Sequence, residues 1–233
     1  VFATVTPASA QDGVPRPATT FAKATCRTIA EESARRLLPS SFFARLIWRE
    51  SLFNPAAVSH RGAQGIAQFM PATAKERGLA DPFDAPSSLI ASAGYLRSLH
   101  DRFGSLGLAA AAYNAGPNRV DAWMSGRATL PLETREYVLW ITGHPPETWR
   151  DTTKELALLP IADGMPFSTA CEKLAARGLT AKLPDKTLRP AVWQKMFAAG
   201  LGIVQVKASK PGRIRVVIET GQSGSSKPSA RAR

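Results

Sequence analysis

The stretch from Trp48 to Met70, WRESLFNPAAVSHRGAQGIAQFM, sets one carboxyl group, Glu50, where an amphipathic helix gives way to a loop containing Asn54, Gly62 and Gly65. Phe43, Leu46, Ile47 and Glu50 follow at i, i+3, i+4 and i+7, so the acid shares a helical face with three large apolar side chains. Arg45 and Arg49 fall off that stripe and are expected to face water. A carboxyl group held against apolar walls loses hydration of its charged form, which raises its pKa and keeps it protonated near neutral pH. Such a group can donate a proton. The plainer alternative is a surface glutamate paired with Arg49 or Arg61. In the loop, Ser59 and Gln68 carry donors and acceptors that could point toward Glu50, although spacing alone does not aim them.

The elements that must hold these residues can be read in order. Residues 1–22 form a leading segment, with 11–22 expected to be flexible, and a first helix is predicted over Thr25–Leu38. That helix would turn Ile29, Leu37 and Leu38 inward and Glu31, Glu32, Arg35 and Arg36 outward. Pro39-Ser40-Ser41 opens the helix Phe42–Leu52, which Asn54-Pro55 stops. After the loop come a short helix from Pro71 to Gly78 and a long one over Pro86–Phe103, with Leu89, Ala93, Leu96, Leu99 and Phe103 on one face. Leu108–Tyr113 is a run of small residues suited to close helix packing, and it delivers Tyr113 and Asn114 to its end, where Gly116-Pro117 breaks it. Helices over Val120–Met124 and Pro131–Thr142 follow, the second putting Glu133 and Tyr137 at i, i+4.

Beyond Gly143-His144-Pro145-Pro146 the character changes. Helices are expected over Ser168–Arg177 and Pro190–Leu201, a β-hairpin over Gly202–Val206 and Arg213–Glu219, and a disordered basic tail over residues 222–233. The domain organisation expected is therefore 23–150 as the main helical domain, 151–221 as an accessory segment and 222–233 as the tail.

Charge is uneven. Residues 1–150 hold 16 Lys and Arg against 12 Asp and Glu, and residues 151–233 hold 14 against 6, within a net charge of +12. A basic end of this kind touches polyanions or an acidic polymer, but no aromatics interleave with the cations of the last 30 residues and no helix-turn-helix or zinc-finger spacing occurs, so nucleic-acid reading is not expected. No apolar run approaches the roughly 20 residues that span a bilayer. The start VFATVTPASA ends in Ala8-Ser9-Ala10, the small-residue pattern of a signal-peptidase site, so export is expected with a mature chain beginning near Gln11. Cys26 and Cys171 have no metal-binding neighbourhood; in an exported chain they are expected to pair, two separate buried thiols being the alternative.

Three motifs in order, RESLFNPAAVSHRGAQGIAQFMPATA, AAYNAGPNRV and LPLETREYV, resemble the catalytic domain of soluble lytic transglycosylases, relatives of goose-type lysozyme. The resemblance covers about residues 40–142 and implies a mainly α, lysozyme-like catalytic domain, here with a small C-terminal α+β appendage. It implies Glu50 as catalytic acid, Ser59 and Gln68 beside the cleaved bond, Tyr113, Asn114, Glu133 and Tyr137 as walls, and Met70 as a lining methionine. Each has a structural alternative: Tyr113 as a core aromatic, Asn114 with Gly116 as a helix cap, Glu133 with Tyr137 as a packing pair. One departure stands out. Where the family usually has Gly-Leu-Met-Gln this chain has Gly65-Ile66-Ala67-Gln68, which would widen the groove locally or move a contact elsewhere.

Ordinary glycosidases use two carboxyl groups, yet no acid falls between Glu50 and Glu76. The resemblance implies that Glu50 does both jobs, protonating the β-1,4 oxygen between N-acetylmuramic acid and N-acetylglucosamine and then taking the proton of the muramoyl C6 hydroxyl as a 1,6-anhydro ring closes. It implies peptidoglycan strands as substrate, no metal or other cofactor, a monomer, and a periplasmic or otherwise exported setting. The basic end suggests an envelope or secretion-complex protein as a further partner. A lysozyme-like hydrolase and a catalytically idle wall-binding module are the alternatives.

Overall fold

The computed structural model describes residues 16–151, 156–162, 164–180, 204–209 and 213–218. Eight α-helices occur among them: α1 (Arg16–Arg35), α2 (Ser40–Ser51), α3 (Pro71–Glu76), α4 (Ala85–Phe103), α5 (Leu106–Ala115), α6 (Pro117–Met124), α7 (Leu132–Thr142) and α8 (Phe167–Thr180). A 3-10 helix, Pro146–Arg150, follows α7. No helix of the described residues is long and apolar enough to cross a membrane. The chain divides into two compact units, one running to Leu183 and the other from Pro184.

In the first unit α5 is the central element. Its run from Leu108 to Ala112 is wholly buried, and it packs against α4, α6, α7 and the 3-10 helix. The small side chains are what let four elements approach it. A Cβ on Gly107 would sit 2.0 Å from the Trp149 ring, so the first turn of α5 accepts that indole only as glycine. Asp84 caps α4 by accepting from the Ser87 amide, and Ser105 caps α5 by accepting from the Leu108 amide.

Helix α2 ends abruptly. Leu52 and Phe53 both take positive φ, 57° and 63°, a conformation that non-glycine residues adopt at a cost. Their side chains are 1% and 0% exposed, so burial of two large apolar groups offsets the strain and the chain reverses two residues after Glu50. Helix α8 packs on α1 and α2. A disulfide joins Cys26 of α1 to Cys171 of α8, and a Cβ on Gly178 would stand 2.0 Å from the Leu52 carbonyl oxygen. The compact unit that holds Glu50 thus extends through α8. In the second unit β1 (Val204–Ser209) and β2 (Arg213–Ile218) form an antiparallel hairpin with Val206 opposite Val216 and Lys207 opposite Arg215.

The structure corrects several expectations. Residues 16–22, read as flexible, are the first turns of α1. Glu32 is 3% exposed, accepting from Arg35 and Arg36 at 3.2 Å each, while Leu37 is 81% exposed. The helix stops at Arg35 and Leu37 takes a φ of 55°, which swings it out of the inward stripe. Arg45 does not simply face water: half-buried, it turns its guanidinium onto α7 and donates to backbone carbonyls. The 3-10 helix was not predicted. The expected helix at 190–201, the tail at 222–233 and the proposed processing site lie outside the described residues.

Candidate active site

Phe43, Leu46 and Ile47 are each 0% exposed, so the inward face of α2 runs into the core and carries Glu50, itself half-buried, to its last turn. There it meets α7. The Tyr137 hydroxyl donates to Glu50 Oε1 at 2.5 Å. Tyr137 is 2% exposed, and burial, then the negative charge of Glu50, pushes its phenol well above the ordinary value. It stays a hydrogen-bond donor at any working pH.

Tyr113, at the end of α5, gives its proton to the Ala67 carbonyl at 2.8 Å and lies 3.0 Å from Ser92 Oγ, which must then donate to the phenol oxygen. Burial first and the charge of Glu50 second raise this phenol as well. Its ring sits among aromatics, 5.5 Å from Tyr95 and 6.3 Å from Phe69 between centroids. Asn114 turns toward α7, where its Oδ1 accepts from Thr134 Oγ1 at 2.8 Å.

The loop after α2 is braced from within. Val58 bridges Gln64, and Gln64 bridges Phe69. The Gln68 amide spends both of its protons on loop carbonyls, Ala57 at 3.1 Å and Gly65 at 2.9 Å. Ser59 Oγ accepts from the Ala63 amide at 3.0 Å and closes a turn. Gly65, with φ of +74°, lies so close to Pro82 that a Cβ would meet that carbonyl oxygen at 1.7 Å. Ser51, directly after Glu50, donates to the Ile66 carbonyl at 2.6 Å and ties the loop to α2.

The residues marked from sequence therefore separate into groups. Tyr137 touches the acid. Tyr113 feels its charge. Gln68 and Ser59 direct the polar atoms just described into the loop, Asn114 joins two helices, Glu133 is exposed in the first turn of α7, and Met70 is 43% exposed before α3.

Against this geometry stand the comparisons with known proteins. The family described as "Transglycosylase SLT domain" matches residues 27–134. That stretch is similar to the SLT transglycosylase domain. A transglycosylase of Enterobacteria phage PRD1 is 29% identical over 160 residues, 69% of this chain and 57% of that protein. The soluble lytic murein transglycosylase of Escherichia coli K12 is 32% identical over 123 residues, 43% of this chain and 19% of that protein. A solved lytic transglycosylase Slt from Pseudomonas aeruginosa is 34% identical, with a TM-score of 0.46, over 49% of this chain and 22% of that one. The chain thus spans just over half of the phage relative and about a fifth of the other two.

Within the matched stretch, the departure at Ala67 is internal. Ala67 is 0% exposed and its carbonyl holds Tyr113, so its methyl does not line a groove. Reading the sequence missed Ser51, Ser92 and Thr134, the hydroxyl groups that orient the loop, Tyr113 and Asn114. Ser51, beside the acid, and Thr134, beside Glu133 in the LPLETREYV motif, had a signal; Ser92 had none. Glu136 was also missed: half-buried beside Tyr137, its carboxyl is raised by burial, pulled down by Arg49 and pushed up by Glu133.

Proposed function

We propose that the protein is a lytic transglycosylase acting on the β-1,4 bond between N-acetylmuramic acid and N-acetylglucosamine of peptidoglycan, with Glu50 as acid and then base. The Tyr137 hydroxyl on Glu50 Oε1 is the observation that carries the mechanism. With Oε1 accepting, the proton of the neutral acid belongs on Oε2, the oxygen that gives it to the glycosidic oxygen. The C1–O4 bond breaks as the leaving hydroxyl is formed. The carboxylate left behind is held by the same tyrosine, a charge-assisted bond stronger than the neutral one. Oε2 then takes the proton of the muramoyl C6 hydroxyl while C6–O attacks C1, closing the 1,6-anhydro ring and restoring the acid.

Tyr113, expected as a wall of the site, gives its proton to the Ala67 carbonyl and in this reading fixes the loop. The exposed or half-buried Met70, Glu133 and Asn114 remain positioned to border a glycan. Peptidoglycan strands as partner, and a setting in the bacterial envelope, are supported by relatives named soluble or membrane-bound lytic murein transglycosylases. The basic end beyond residue 183, outside the unit that holds Glu50, is assigned to docking on the anionic wall or on an envelope protein.

Mass spectrometry of purified sacculi after digestion is the test. Anhydromuramoyl ends are expected. Reducing ends would make the enzyme a hydrolase, and intact sacculi would leave a binding module.

A further inference from the structure

Arg45 is a half-buried cation whose guanidinium donates to backbone carbonyls. Its Nε donates to Ile141 O at 3.1 Å, one Nη to Trp140 O, and the other Nη to Pro160 O at 3.5 Å. The guanidinium carbon also lies 4.6 Å from the centre of the Trp140 ring. Burial lowers its pKa to about 10, so it remains charged at neutral pH. The carbonyls it grips belong to the last turn of α7, where no intrahelical amide is available to them and the helix dipole presents negative charge.

The same two helices meet again at the acid. Arg45 and Glu50 are five residues apart on α2, and on α7 Tyr137 lies one turn before the gripped carbonyls. The early end of the α2 contact meets the late end of the α7 contact, so the helices run antiparallel and are pinned at two points. Helix α7 is also packed on α5 and bonded to Asn114 through Thr134; the Arg45 grip adds a second polar attachment to α2, at the end of α7 beyond Tyr137.

We propose that Arg45 is a positioning residue for the acid–base step, acting by locking the end of α7 so that Tyr137 meets Glu50 Oε1. This rests on the transglycosylase reading. The Arg45 bond to Pro160 extends the same clamp to the segment leading into α8.

The test is a double-mutant cycle of Arg45→Met and Tyr137→Phe on the full chain, with Arg45→Lys as the conservative variant. Turnover is read on soluble uncrosslinked glycan strands, and unfolding is read in denaturant. Arg45→Met should lower kcat about tenfold or more with KM nearly unchanged, since a misplacement of about 1 Å can cost about 10²-fold. Added to Tyr137→Phe, it should cost little further, because the bond it positions is already gone. Arg45→Lys, keeping the charge and reaching one carbonyl, should recover part of kcat. Wild-type kcat in Arg45→Met, or losses that multiply in the double variant, would overturn the proposal. If Arg45→Met does not fold, Arg45→Lys enters the cycle under the same criteria. The unfolding arm needs no activity: coupling between the two sites supports the clamp and additivity overturns it, even if wild-type protein releases no product and the transglycosylase reading itself fails.

Discussion

Helix α7 reaches Glu50 with a side chain, whereas the loop between α2 and α3 spends the polar atoms of Ser59 and of the Gln68 amide nitrogen on itself. The first wall is held by rigid helix packing and an arginine on the carbonyls of its last turn. The second is held by short backbone bridges, a glycine pressed on Pro82, and Ser51. A group that must change the state of an acid has to touch it. A group that must shape a groove only has to stay where it is. The α7 wall should therefore act on turnover, and the loop wall on binding and stability.

The largest effect tests the centre that both walls share. Glu50→Gln keeps an oxygen for Tyr137 but removes the proton donor and the later acceptor together, so turnover should fall by about 10²–10⁴-fold with the fold intact. Release of anhydro ends from sacculi, with circular dichroism as the control, checks this. A variant retaining a tenth of wild-type turnover would move the chemistry elsewhere.

Next is the staple behind α2. The Cys26–Cys171 bond closes a sequence separation of 145 residues, and Cys26→Ser with Cys171→Ser should cost about 2–4 kcal/mol of unfolding free energy in the chain-entropy account. Both walls should feel that loss equally, so kcat at a temperature where the protein stays folded should not change. A fall in kcat would mean that α8 helps to place Glu50.

Tyr137→Phe isolates the α7 wall. It removes a hydrogen bond to a charged group, a class contributing about 1.5–3 kcal/mol, and should lower kcat roughly 10- to 100-fold while KM stays within about twofold. Steady-state kinetics on soluble strands would separate the two parameters. An effect confined to KM would erase the distinction between the walls.

What could be read before the fold was known follows the same division. Helix periodicity placed Glu50 on an apolar face, and Phe43, Leu46 and Ile47 are wholly buried there. Motif order pointed to Tyr137, and it is on the acid. Sequence spacing gives the face of a side chain but not the partner of its polar atoms, so it left open where Gln68 points; its amide nitrogen donates to Ala57 and Gly65. Arg45 failed for a related reason. A cation off the apolar stripe is expected in water unless a helix end supplies carbonyls, and that end, Trp140 and Ile141, lies 95 and 96 residues away. Leu52 and Phe53 carry no glycine signal for their left-handed turn because buried packing, not local preference, holds it.

The smallest effect is expected at Gln68, and it bears most directly on the loop wall. The residue takes a φ of 52° and is 9% exposed, so its amide is enclosed where water cannot replace it. Gln68→Ala would remove two donors at once. Both carbonyls keep a backbone partner: Ala57 accepts from the Gly65 amide at 2.9 Å and Gly65 from the Gln68 amide at 3.2 Å. Each side-chain hydrogen bond lost contributes about 0.5–1.5 kcal/mol, and the retained backbone partners and loop relaxation place this case near the lower end. The lost stability should appear as a loosened loop rather than a displaced acid, because Ser51 still holds Ile66 and Tyr137 still holds Glu50. KM for soluble strands should therefore rise a few-fold while kcat at saturation changes less than in Tyr137→Phe. Gln68→Glu sharpens the point, since a carboxylate offers no donor to either carbonyl and should behave at least as badly as alanine. If Gln68→Ala instead lowers kcat as much as Tyr137→Phe and leaves KM alone, the loop takes part in the chemistry and the two walls do the same work.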